Sequence, residues 1–96
     1  MSEFTILLIE AIRSKRLLRF DYKGRSRLVE PHTYGRDRWK REMLCGFQLD
    51  GGSSNGWRTF VIGEASGLRI ETANFAEARP EYVRDDGAFV EILAQL

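Results

Sequence analysis

The sequence predicts a mainly β, α+β domain: one N-terminal helix, then five short strands in a bent sheet or partly open barrel, then a short C-terminal extension. Three observations lead there. Apolar residues recur at helical spacing near the start of the chain, the period changes to two from Leu17, and Gly-rich turn clusters then punctuate the alternation as far as residue 71. Ninety-six residues, 43% hydrophobic and 30% charged, make a single domain, 1–96, of ordinary globular composition.

The helix spans about 3–15. Ser2 is placed to cap it and Glu3 lies where the helix dipole favours a carboxylate. Phe4, Leu7, Leu8, Ala11 and Ile12 form its apolar stripe, and Arg13, Lys15 and Arg16 arrive at its last turn. The stripe needs a sheet or a partner to cover it. The apolar run 4–12 is interrupted by Thr5 and Glu10, too short and too polar to span a bilayer, and it lacks the flanks of a secretory signal. A cytoplasmic location and no membrane partner are expected.

The strand region covers about 17–71. Leu18, Phe20 and Tyr22 alternate with Arg19 and Asp21, and Lys23-Gly24 makes a tight hairpin turn into a second strand, 25–34. Pro31 cannot donate to a ladder, so this strand is an edge there or bulges, and a bulge would aim His32 and Tyr34 toward one place. A turn bearing Arg36, Arg38, Trp39, Lys40 and Arg41 follows. The third strand places Met43, Cys45, Phe47 and Leu49 on one face. The loop 50–56 is Gly- and Ser-rich, but it lacks the Gly-Lys-Ser/Thr ending of a phosphate loop. Trp57 to Ile62 is the fourth strand, broken by Gly63, and Leu68 and Ile70 point inward from a short fifth. In the extension, 72–96, residues 74–78 suit one helical turn before Pro80, and 89–96 can dock as a strand or a helix.

Net charge is only +1, yet residues 1–48 hold eleven Lys and Arg against six Asp and Glu, while 49–96 hold four against eight. The basic half suits an anionic partner, and the acidic half could neutralise it within the fold or across a homo-oligomer. Cys45, the single cysteine, reads as a packed core thiol, and with one histidine for company it offers no metal site. No cofactor is expected. His32 is also the only candidate for a catalytic base, and its potential partners Ser26, Cys45 and Asp37 are equally explained by turn and core roles. No enzyme is expected.

Arg27-Leu28-Val29-Glu30-Pro31-His32, Tyr34-Gly35-Arg36-Asp37-Arg38 and Gly56-Trp57-Arg58-Thr59-Phe60 together resemble a WYL domain over residues 5 to 71. The resemblance implies a helix ahead of an SH3-like, Sm-like five-stranded barrel. No helix-turn-helix motif precedes it, so the likeness is to a free-standing member. The family's Trp-Tyr-Leu tripeptide falls on Glu42-Met43-Leu44, and two family arginines fall on Val61 and Glu64. The resemblance implies a ligand-sensing role in bacterial transcription regulation, with a basic surface for a nucleotide or single-stranded nucleic acid. His32, Tyr34, Arg36, Arg38, Lys40 and Arg58 are the expected ligand-binding residues, and Trp39 a stacking face. An inward Trp57 would leave Arg58 on the surface beside the basic turn. The alternative is an oligomeric structural or accessory module that has lost ligand sensing.

Overall fold

The computed structural model describes residues 3–52 and 54–96, so the cap expected at Ser2 lies outside the described residues. Helix α1 (Glu3–Ser14) is followed by strands β1 (Arg16–Tyr22), β2 (Arg25–Arg36), β3 (Glu42–Asp50) and β4 (Gly56–Val61). A single 3-10 turn (Ile62–Glu64) leads to β5 (Ala65–Asn74), and β6 (Glu91–Gln95) ends the succession. The sheet is antiparallel, in the order β4-β3-β2-β1-β5 with β6 pairing β2, and it does not close into a barrel. No helix among the described residues is long and apolar enough to cross a membrane.

The local signals explain most element boundaries. Lys23 and Gly24 both take positive φ, 50° and 78°, the requirement of a two-residue turn whose twist matches its flanking strands. β2 is twelve residues long, and its edge is shared: β1 pairs its first half, from Arg25 to Val29, and β6 pairs its second, from Thr33 to Arg36. Pro31 falls in the interval between them, where its missing N–H costs no ladder bond. Gly35 is where β6 comes closest, because a Cβ there would sit 2.1 Å from the Glu91 carbonyl oxygen.

One expectation is corrected, and one left open is decided. Residues 74–78 form no helical turn: Asn74 ends β5, which is ten residues long rather than a short strand around Leu68 and Ile70. Residues 89–96, open to either reading, yield strand β6, because the second half of β2 offers an unfilled edge.

The sheet has two differently built faces. On the first, Leu8, Ala11 and Ile12 of α1 pack against Leu18, Phe20, Val29, Tyr34, Leu44 and Phe60, all 1% exposed or less. Phe60 meets Phe20 and Tyr22 edge-to-face at centroid distances of 4.9 and 5.1 Å. The Tyr22 hydroxyl accepts the Val61 N–H at 3.1 Å, so this aromatic keeps its polar tip satisfied. The second face carries Glu30, His32, Thr33, Phe47 and Trp57 and is covered by Phe75, Arg79 and Tyr82 of the extension.

Met43, Cys45 and Phe47 do share a face, but it is this second one. Leu44, Gly46 and Gln48 are the buried alternates of β3. Cys45 is accordingly half-buried beneath the extension rather than packed in the main core.

Candidate functional site

Of the two readings at Pro31, an edge or a bulge, the bulge is present: Pro31 pairs Gly46 and Thr33 pairs Cys45, leaving His32 as the extra residue. Its effect is opposite to the expectation. An inserted residue reverses side-chain parity, so His32 and Thr33 both face the extension and Tyr34 turns into the α1 side.

His32 is fully buried, with its ring 4.8 Å from Trp57, 5.2 Å from Tyr82 and stacked 5.7 Å from Phe75. The Arg79 backbone N–H donates to Nε2 at 3.2 Å, which makes Nε2 the acceptor and places the proton on Nδ1, donating to the Glu30 carbonyl at 2.8 Å. Burial holds the ring below its ordinary pKa of 6.5, and the neighbouring Arg79 charge pushes the same way, against the carbonyl and carboxylate of Glu30. The imidazole is therefore neutral at pH 7.

Glu30 completes the clamp. Its two carboxylate oxygens accept from Arg79 Nε at 2.8 Å and Nη2 at 3.1 Å, a forked pair whose guanidinium also lies 3.9 Å over the Phe47 ring. The Glu-Pro-His motif thus holds the chain's own extension.

Tyr34 is equally committed. Its hydroxyl donates to the Glu42 carboxylate and lies 3.0 Å from Thr5 Oγ1 of α1. Burial first, and the Glu42 hydrogen bond second, push its pKa up to about 12. Arg36 pairs with Glu91 of β6 and, at 3.8 Å, with Glu42. Arg58 donates to the carbonyl and hydroxyl of Ser54 in its own hairpin loop, at the opposite end of β3 from the basic turn. It shares a side of β4 with Phe60, whereas Trp57 faces the extension, so the expected pairing of Arg58 with the basic turn is not formed.

Arg38, Trp39 and Lys40 are the expected site residues that the structure does bring together. They sit on the turn 37–41, built around Asp37. Its carboxylate accepts the backbone N–H groups of Trp39 and Arg41, each at 2.9 Å, and pairs with Arg41 Nε at 2.9 Å. These donors hold the Asp37 carboxyl below the usual carboxylate range despite its burial. Trp39 is left 62% exposed, with the Arg38 guanidinium 4.3 Å and the Arg41 guanidinium 5.3 Å from its ring centroid. Arg41, absent from the expected site residues, joins them on this turn, where its place two residues after Trp39 and four after Asp37 is the signal for it.

Among the described residues no group of three or more His, Cys, Asp and Glu is placed to hold a metal ion. Comparison with family models, with curated proteins and with solved structures finds no match to this chain.

Proposed function

We propose that this chain is a non-enzymatic, WYL-like binding module of the cytoplasm that takes an anionic ligand with a stackable base, a nucleotide or short single strand, at the turn 37–41. Its role on this reading is ligand sensing linked to transcription regulation. The observation that carries it is Trp39, a large exposed aromatic with two guanidiniums near its ring on a turn that Asp37 ties together by hydrogen bonds. Stacking on an exposed aromatic is worth about 1–3 kcal/mol per base and tolerates any sequence, while Arg38, Lys40 and Arg41 supply phosphate contacts. The succession of one helix and strands β1 to β5 supports the WYL-like part of the reading.

Anisotropy titration of a labelled pyrimidine oligonucleotide tests it. Binding should weaken with salt, with a log–log slope of about −2 if three phosphates are neutralised. Trp39→Ala should weaken it roughly 5- to 150-fold, the equivalent of one lost stack. Binding that ignores salt, or that survives Trp39→Ala unchanged, overturns the proposal.

A further inference from the structure

The second face also holds a pocket of the opposite electrostatic character. A cavity of about 210 Å³ lies between the sheet and the extension, with Thr33 and Cys45 lining it from β2 and β3. Trp57 and Tyr82 contribute two rings inclined by only 20°, with centroids 6.5 Å apart. Glu81 and Asp86 contribute two carboxylates, and no lysine or arginine is among the described residues that line it.

The surrounding cations are engaged elsewhere. Arg79, which also feels the Glu81 charge, is forked onto Glu30, and Arg84 reaches the Leu96 carbonyl at 3.1 Å and Asp85 at 3.8 Å. The Trp57 indole N–H donates to Glu81 Oε1 at 3.4 Å and the Asp86 carboxylate accepts the Ala88 N–H at 2.9 Å, so both acids are oriented by neutral donors.

An anion entering this space would meet two like charges and no lysine or arginine among the described residues. A positive, weakly hydrated group meets two carboxylates and two aromatic rings, and aromatic rings attract cations electrostatically, most strongly when desolvated. The volume lies below the range of about 300–1,000 Å³ typical of drug-sized ligands, which favours a single small head group.

We propose that the pocket lined by Trp57, Tyr82, Glu81 and Asp86 binds a small alkylated ammonium cation, its methyl or methylene groups against the two rings and its charge balanced by the two carboxylates. This site is separate from the turn 37–41 and does not depend on the anion reading.

The test uses choline and its neutral isostere, 3,3-dimethylbutan-1-ol. Trp39→Phe leaves Trp57 as the sole indole, so its emission reports the pocket alone. At constant ionic strength choline should give a saturable change and the isostere should bind at least tenfold more weakly. Asp86→Asn and Glu81→Gln should each weaken choline several-fold and leave the isostere unchanged, with thermal unfolding confirming that both variants fold. The choline-to-isostere ratio needs neither variant, so it decides the matter even where one is unstable. No saturable response to choline, or equal affinity for the isostere, overturns the proposal.

Discussion

The two faces of the sheet are stabilised by different physics. On the α1 side, side chains from the helix and from β1, β2, β3 and β4 interdigitate with almost no exposure, and non-directional apolar burial supplies the stability. On the extension side, the fit depends on donors and acceptors meeting: a forked ion pair at Glu30, a neutral imidazole with both nitrogens used, and rings arranged around them. The first arrangement tolerates exchange of one hydrophobe for another of similar volume. The second tolerates little, because a removed partner leaves a buried polar group unmatched. The difference teaches that buried histidine and glutamate in a motif can mark a fastening for the chain itself as readily as a ligand site.

Breaking the first face should have the largest effect. Phe60→Ala removes a ring that touches both Phe20 and Tyr22, and a loss of about 3–5 kcal/mol is expected from urea unfolding. A loss under 1 kcal/mol would mean that the aromatic cluster is not the centre of the core.

Breaking the second face should cost less globally and more locally. Glu30→Gln removes the charge opposite Arg79, and about 1–3 kcal/mol is expected. Trypsin should then cut faster after Arg84, since the Arg79–Pro80 bond resists it, while the sheet stays folded. Unchanged cleavage would show that the extension is held by its aromatic contacts alone.

The smallest effect is one of pH. Because the folded-state pKa of His32 lies below its ordinary 6.5, the unfolded chain binds the proton first as pH falls. The contribution of the neutral ring is full above 6.5 and is lost as pH drops from 6.5 toward the folded value, at no more than about 1.4 kcal/mol per pH unit. Denaturation midpoints measured just below pH 6.5 should decline in the native chain and flatten in His32→Gln. A native profile that is level there would show that the ring can take up a proton in place.

Much of the fold was legible because it is written locally. The spacing of Leu8, Ala11 and Ile12, the alternation of Leu18, Phe20 and Tyr22, the Lys23-Gly24 turn and the bulge beside Pro31 each need only a few neighbouring residues. The candidate site was legible only at the turn 37–41, where exposure and charge follow from the turn itself. His32 and Tyr34 misled because parity counts through a bulge only when the position of the extra residue is known. Arg79 and Tyr82 were missed because their partners on β2 lie 47 to 49 residues earlier, beyond the reach of any local pattern. The strand at Ile92 and Ala94 gave no alternation of its own and takes its form from the edge of β2.

The divided edge of β2 also sets an order of assembly. Its first half meets β1 through a two-residue turn, a contact that closes with little loss of chain entropy, whereas its second half must wait for β6, some 60 residues further on. Non-local pairings of this kind form late, after the local hairpins have paid their smaller closure cost. During synthesis the residues of the β1–β2 hairpin are therefore complete before Phe75, Arg79 and Tyr82, which cover the Glu30 carboxylate and the His32 ring, have been made. These two groups remain in water until the last quarter of the sequence arrives to receive them.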